Sequence, residues 1–142
     1  ESLSDIDFGQ YIAELVDAII QSHDKKDVIN VEMDTVPIKL PIKKAIPSGL
    51  VINEIVTNSL KYAFPDGYVN AKITIELTRD GNRTSITISD NGIGLPVPFE
   101  ELDTNSLGTL LISTLTSQLK ADMAVDRTQG TKYTLTFDLE SD

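Results

Sequence analysis

The sequence has 142 residues, of which 40% are hydrophobic, so it is long enough to bury one core and too short for two independent domains. Its 22 acidic and 12 basic residues give a net charge of -10, which argues against nucleic acid as a partner. Cysteine is absent, which fits the reducing cytoplasm, and no apolar run reaches the roughly 20 residues of a membrane helix. We therefore expect a single cytoplasmic domain over 1–142 that makes no membrane contact. In isolation we expect it to be monomeric.

The first half of the sequence predicts two helices separated by two strands. Apolar residues recur at helical spacing in "IDFGQYIAELVDAII", and this helix is expected to end near "QSHDKKD". The segments "VINVEMD" and "VPIKLPI" predict a hairpin with its turn around Asp34 and Thr35. A second helix is predicted over "AIPSGLVINEIVTNSLKYAF", with Pro47 in the first turn, where a missing amide donor costs nothing.

The second half predicts a hairpin, a loop, a helix and another hairpin. "AKITIELT" and "TSITISD" alternate apolar and polar residues around the turn "RDGN". A third helix is predicted from about Leu107 to Lys120, followed by the strands "DMAVD" and "KYTLTFDL". Helices that alternate with hairpins predict an α+β fold, a two-layer α/β sandwich with a mixed, mostly antiparallel sheet and three helices on one face.

One face of the predicted second helix carries four polar groups. At about 100° per residue, Glu54, Asn58, Lys61 and Tyr62 gather opposite the apolar side chains. A solvated surface face would explain Glu54 and Lys61 without any function. Asn58 is less easily explained, because asparagine inside a helix is worse than alanine by several tenths of a kcal/mol. Its carboxamide oxygen is a ligand that Mg²⁺ accepts, so this face is a candidate binding site.

The segment "SITISDNGIGLP" ends a strand with a carboxylate. Because side chains alternate along a strand, Asp90 points to the same side as the preceding isoleucines, toward the core. An inward carboxylate needs donors, which the amino group of adenine or an ordered water would supply. The alternative is an Asx-type turn in which Asp90 or Asn91 caps the loop. Gly92 and Gly94 permit a tight turn with positive φ and close approach of a ligand.

Two further segments are weak signals when taken alone. In "TNSLGTLL", Asn105 or Ser106 can cap the third helix, and Gly108 leaves its first amides uncovered for a phosphate. In "QGTKY", turn chemistry and strand propensity explain Gly130 and Thr131.

Together and in this order, the four segments resemble the ATP-binding catalytic domain of sensor histidine kinases, in the superfamily that includes gyrase, Hsp90 and MutL. "NEIVTNSLKYAF" is similar to the N box of this family, "DNGIGLP" to the G1 box, "SLGTLL" to the G2 box and "QGT" to the closing Gly-Thr. The wording "IPSGLVINEIVTNSLKYAFPDG" is most similar to the branch whose dimerisation helices belong to the second histidine-kinase A type. The likeness extends from about Ile6 to Phe137.

The resemblance implies a Bergerat-type fold that binds ATP and Mg²⁺. Asn58 would hold Mg²⁺, Lys61 would reach the β- or γ-phosphate, and Tyr62 would pack near the adenine. Glu54 would orient or deprotonate the nucleophile. All four belong to the polar face of the second helix.

The resemblance also assigns an adenine pocket and a phosphate cradle. Asp90 would accept from the adenine amino group with the support of Thr131, and Gly92 and Gly94 would shape the pocket. The ATP lid would lie over about 97–106. The amides expected to hold phosphate are those near Leu107, Gly108 and Thr109. The G2 box has Thr109 where the family pattern usually has leucine, so the lid is expected to behave differently from that of better-matched members.

The implied activity is phosphorylation of a histidine in two-component signal transduction. The acceptor would lie on dimerisation helices of the same full-length protein, which would in turn serve the receiver domain of a response regulator. His23 is the only histidine, and a solvated side chain at a helix end explains it better than an acceptor role. The chain begins at Glu1 rather than methionine, which suggests a fragment of a longer protein or a processed start. Because the acceptor histidine would lie on helices that this chain lacks, the fragment is expected to bind ATP but not to phosphorylate itself.

Two alternatives from other classes stay open at this stage. An anti-sigma-factor serine kinase has the same fold and a similar N box but phosphorylates a protein serine. A catalytically silent interaction module would have kept only the fold. The pattern GxxxxGK[ST] is absent, which excludes the ordinary P-loop NTPases.

Overall fold

Three α-helices and seven strands make up the described part of the computed structural model, residues 5–25, 27–95 and 107–139. The helices are α1 (Phe8–Ser22), α2 (Ile42–Asn58) and α3 (Leu107–Gln118), and α2 continues into a π-helical turn, Ser59–Ala63. The strands are β1 (Ile6–Asp7), β2 (Asn30–Thr35), β3 (Lys39–Leu40), β4 (Lys72–Asp80), β5 (Arg83–Asp90), β6 (Asp122–Asp126) and β7 (Thr131–Asp138). The predicted α+β class is confirmed.

Five strands form the main sheet in the order β2-β4-β5-β7-β6. The pair β4 and β5 and the pair β6 and β7 are antiparallel, as the second and third predicted hairpins require. β5 also pairs antiparallel with β7, whereas β2 runs parallel to β4. The sheet is therefore mixed and mostly antiparallel, as predicted.

The first predicted hairpin is wrong. Asp34 and Thr35 lie within β2 rather than in a turn, and β2 pairs in parallel with β4. β3 pairs with β1 in a separate two-stranded ribbon. The reason is that alternation along a segment predicts a strand but not its partner, and here the amide of Val36 extends the parallel ladder by donating to Leu77.

The core lies between the helices and one face of the sheet. α1 buries Phe8, Ile12, Val16, Ile19 and Ile20, and β4 and β5 bury every second residue against the helices. The opposite sheet face is polar, with Arg83 paired to Asp122 at 2.8 Å and to Asp138 at 3.2 Å. This gives the predicted two layers. Within the described ranges, no helix has the length and apolar character needed to cross a membrane.

α2 begins earlier than predicted and contains Pro47 beyond its first turn. The helix starts at Ile42 after the N-cap Pro41, so Pro47 is its sixth residue. A proline there removes one backbone hydrogen bond. The segment is helical all the same, because Ala45, Val51 and other residues on its inner side are fully buried. Tertiary packing has outweighed the local cost.

Candidate functional site

The four predicted polar residues are divided between α2 and the π-helical turn that follows it. Glu54 and Asn58 are half-buried and one α-helical turn apart, with the predicted apolar residues of α2 buried on the other side. Lys61 and Tyr62 are exposed, Tyr62 by 70%, and they lie in the π-helical turn. Because a π turn bonds i to i+5, each residue there advances by less than 100°. The angular spacing of Lys61 and Tyr62 relative to Asn58 therefore differs from the regular α-helical spacing that the sequence predicts.

Asp90 is the last residue of β5 and is 7% exposed, so its predicted inward direction is confirmed. Three donors reach its carboxylate. The Ser59 hydroxyl donates to Oδ2 at 2.9 Å, and the amides of Gly92 and Thr131 donate to Oδ1 at 3.0 Å and 3.3 Å. The bond from Gly92 is the Asx-type turn that the sequence offered as an alternative. Thr131 supports Asp90 through its backbone.

The glycines around Asp90 make room for backbone contacts. A Cβ built at Gly92 would lie 2.3 Å from the carbonyl oxygen of Ala63, and one built at Gly130 would lie 2.1 Å from the carbonyl oxygen of Asp90. Gly94 and Gly130 also have positive φ, 79° and 71°, which favours glycine. The predicted tight turn is thus present at Gly94. At Gly92 the close neighbour is the π-helical turn of the protein itself.

The side chain of Asn91 makes hydrogen bonds to the protein backbone. Its side-chain oxygen accepts from the amide of Lys72 at 2.7 Å, and its side-chain nitrogen donates to the carbonyl of Asn70 at 2.8 Å. The hydroxyl of Tyr68 donates to its backbone carbonyl. Asn91 therefore ties the loop after β5 to the start of β4, while its neighbour Asp90 faces the interior.

The start of α3 lies against Glu54 and Asn58. A Cβ built at Gly108 would be 2.7 Å from Oε2 of Glu54 and 3.9 Å from Nδ2 of Asn58. Thr109 is buried, and α3 begins at Leu107 as predicted. The first amides of a helix have no partner within it and carry a partial positive charge. Gly108, in the predicted phosphate-binding turn, therefore lies beside the predicted magnesium ligand Asn58.

The site residues thus fall into two contact clusters joined by α2. The first cluster contains Asp90, Ser59, Gly92, Gly130 and Thr131. The second cluster contains Glu54, Asn58 and Gly108. Since Ser59 directly follows Asn58, the two clusters are adjacent. The predicted lid over 97–106 lies outside the described residues.

Burial has an electrostatic effect beside Asp90. Tyr133, on β7, is 4% exposed, and its burial followed by the negative charge of Asp90 raises its pKa to about 12. Both effects oppose ionisation, so the buried phenol stays neutral to a more alkaline pH than an exposed tyrosine would.

Ser59 is the residue that the sequence argument missed. Its signal was present, because position 59 falls on the buried side of the helix between Val56 and Ala63, and a buried hydroxyl requires a partner. The π-helical turn carried no comparable signal, since "SLKYA" has no residue that favours it over an α-helix.

The family to which this chain belongs is shown by its sequence. The profile of the histidine kinase-, DNA gyrase B- and HSP90-like ATPase family matches residues 43–141, and the chain is a member of that family. Membership implies ATP binding, and the curated relatives of this chain are histidine kinases.

Blue-light-activated histidine kinase 2 of Erythrobacter litoralis is 29% identical over 126 residues, which is 86% of this chain and 35% of that protein. The chain therefore spans about a third of the length of this relative.

Two solved structures have the same fold. The histidine kinase domain from the Erythrobacter litoralis EL346 blue-light activated histidine kinase matches with a TM-score of 0.84 at 23% identity, over 98% of this chain and 65% of that one. The catalytic domain of histidine kinase ThkA matches with a TM-score of 0.76 at 14% identity, over 98% of this chain and 97% of that one. The predicted fold of a histidine kinase catalytic domain is confirmed.

Proposed function

We propose that this domain binds Mg-ATP and supplies the γ-phosphoryl group for a histidine on separate dimerisation helices. The observation that carries the proposal is the buried carboxylate of Asp90, which protein donors hold in place. One of these donors, Ser59, directly follows Asn58, and Asn58 lies beside the start of α3. Family membership and similarity to histidine kinases support it.

The adenine end of the site is built on Asp90. Its two oxygens have about four acceptor positions, and three donors from the described part of the chain occupy three of them. The fourth fits one N–H of the adenine amino group. Gly92 and Gly94 shape the loop beside it, Thr131 supports the carboxylate, and the exposed ring of Tyr62 is available to pack on the base.

The phosphate end is built on Asn58, Lys61 and the start of α3. Among the residues that the structure describes, no group of three His, Cys, Asp or Glu side chains could hold a metal. An Mg²⁺ ion here would be held by the Asn58 carboxamide with phosphate oxygens and water, the kind of shell it commonly keeps. When bound, it neutralises phosphate charge. The Lys61 ammonium and the amides of Leu107, Gly108 and Thr109 would hold the phosphate oxygens.

Glu54 is the residue proposed to act on the nucleophile. Its carboxylate lies within reach of the first turn of α3, where a Cβ at position 108 would come 2.7 Å from Oε2. From there it would orient the acceptor imidazole or take its proton as the phosphoryl group arrives. Phosphoryl transfer needs mainly such positioning and charge stabilisation.

The acceptor is proposed to lie outside this chain. Nδ1 of His23 is 3.0 Å from the carbonyl oxygen of Ile19, so its ring serves the end of α1. The partners are then the histidine-bearing dimerisation helices of the same full-length protein and the receiver domain of a response regulator.

Labelled phosphate gives the test. With γ-labelled ATP, the chain is expected to transfer phosphate to an added histidine-bearing helical hairpin and to leave itself unlabelled. Transfer to a protein serine instead would favour the serine-kinase alternative. ATP binding without transfer to either would favour an interaction module.

A further inference from the structure

The hydroxyl of Ser59 makes the direct side-chain contact with Asp90. We propose that Ser59 is a positioning residue that fixes the Asp90 carboxylate so that a single acceptor position faces the base, and thereby sets the preference for a 6-aminopurine. The inference rests on the proposed function, because it takes Asp90 as the group that reads adenine.

Ser59 is 6% exposed and directly follows Asn58 at the end of α2. Its Oγ donates to Oδ2 of Asp90 at 2.9 Å, across 31 residues of sequence. Hydrogen bonds to a carboxylate are among the stronger ones in proteins. The bond therefore connects the helix that carries the proposed magnesium ligand to the strand that carries the adenine acceptor.

Several buried hydroxyl groups in this core have no hydrogen-bond partner among the described residues. The hydroxyls of Ser48, Thr84 and Thr116 are buried and have no hydrogen-bond partner within the described part of the chain. Ser48 lies on the same helix as Asn58 and is fully buried. Ser59 differs from these three because its hydroxyl is directed at a charged group.

Among the residues that the structure describes, these three donors leave one acceptor position on the carboxylate. Oδ1 accepts from the amides of Gly92 and Thr131, which fills both of its positions. Oδ2 accepts from Ser59, which leaves one. Since both oxygens are held, the carboxylate cannot rotate, and its open position has a fixed direction. A purine with an amino group at carbon 6 donates there, whereas a carbonyl at carbon 6 would meet the carboxylate with a lone pair.

The π-helical turn that begins at Ser59 packs against the segment that carries Asp90. Its last residue, Ala63, has a carbonyl that accepts from the amide of Ile93 at 3.0 Å, and Gly92 fits against it without a side chain. The start of the turn thus holds Asp90 and its end holds the loop that follows Asp90. A π turn inside a longer helix is frequently found at functional sites.

Calorimetry with two nucleotides tests the proposal. ATP and purine ribonucleoside triphosphate differ by the 6-amino group, so the ratio of their dissociation constants measures what that group contributes. In the parent chain we expect ATP to bind about 10- to 100-fold more tightly, as for a hydrogen bond to a charged group. In Ser59→Ala the ratio should fall by about 3- to 10-fold, because Asp90 is still present but its Oδ2 is no longer held by a protein donor.

Two other variants complete the test. Ser48→Ala removes a buried hydroxyl from the same helix and should leave the ratio at the parent value. Ser59→Cys retains a weak donor and should give an intermediate ratio. Thermal melts confirm that each variant is folded at the temperature of the titration.

Three results are informative. A parent that binds neither nucleotide overturns the proposed function and this inference with it. A parent that binds ATP while Ser59→Ala keeps the full ratio overturns the inference alone, and equal weakening of both nucleotides in that variant would then mean a merely structural role. A reduced ratio with unchanged Ser48→Ala supports the inference.

Discussion

Gly92 lies so close to Ala63 that a Cβ at position 92 would be 2.3 Å from the carbonyl oxygen of Ala63 and 2.6 Å from its Cβ. The next amide, that of Ile93, donates to the same carbonyl at 3.0 Å. The loop after β5 and the π-helical turn after α2 are therefore packed backbone against backbone, which fixes Asp90 relative to Asn58.

Gly92→Ala is accordingly expected to destabilise the fold. The added methyl meets backbone atoms that cannot rotate away, so we expect a loss of about 1 to 3 kcal/mol in the free energy of unfolding, measured by urea titration. Gly108→Ala is the matched control, since its closest neighbour is the flexible end of Glu54. Equal stability of Gly92→Ala and the parent would contradict this account of the loop.

Gly108→Ala is expected to act on catalysis instead. Its Cβ would lie 2.7 Å from Oε2 of Glu54, so the carboxylate must move while the fold remains. We expect phosphotransfer to a histidine-bearing hairpin to slow by about 10-fold or more, because small displacements of a positioned group are costly. The melting temperature should change little, and the transfer rate is measured at saturating ATP because the methyl also lies beside the amides proposed to hold phosphate. An unchanged transfer rate would remove Glu54 from the proposed mechanism.

Asn58→Ala is expected to abolish the effect of magnesium on nucleotide affinity. The parent should bind ATP more tightly with Mg²⁺ than with a chelator present, since the Asn58 oxygen is the proposed protein ligand. The variant should bind ATP equally with and without the metal, at the affinity of the metal-free parent. Asn30→Ala, an exposed asparagine at the start of β2, should retain the full metal dependence. If Asn58→Ala also retained the magnesium dependence of ATP affinity, Asn58 could not be the protein ligand of the metal.

Tyr133 is expected to make the fold sensitive to alkaline pH. Its folded pKa is raised from 10.0 to about 12, so the folded state holds the proton more tightly than the unfolded chain does. This contribution is complete below about pH 10 and is lost as pH rises to about 12, about 2 to 3 kcal/mol in all. Across this window the parent should lose about this amount of stability relative to Tyr133→Phe, which has no phenol to ionise. Parallel stability curves would contradict the raised pKa.

The parts of the structure that the sequence could predict are those that depend on local periodicity. Alternation along β5 placed Asp90 inward, and helical spacing placed the apolar side of α2 in the core. The partner of β2 could not be predicted, because it is Lys72–Asp80, far along the chain, and nothing in "VINVEMD" encodes it. Pro47 inside α2 was unexpected for the same reason, since distant packing offsets its local cost.

The candidate site was predictable as a set of residues but not as an arrangement. The resemblance named Asn58, Asp90 and Gly108, yet the bond from Ser59 to Asp90 and the π-helical turn depend on how α2 meets β5 in three dimensions. The roles of all these residues stay predictions, and for Lys61 and Tyr62 the structure adds only that both side chains are exposed.

Titration calorimetry with Mg-ATP tests the central claim most directly, on the parent, on Asp90→Asn and on the exposed-carboxylate control Asp34→Asn. We expect the parent and the control to bind alike and Asp90→Asn to bind nothing measurable. Nucleotide at 100 times its dissociation constant should stabilise the parent by about 2.7 kcal/mol in a parallel melt. Absence of binding to the parent at millimolar nucleotide, or equal binding by Asp90→Asn, would contradict the account.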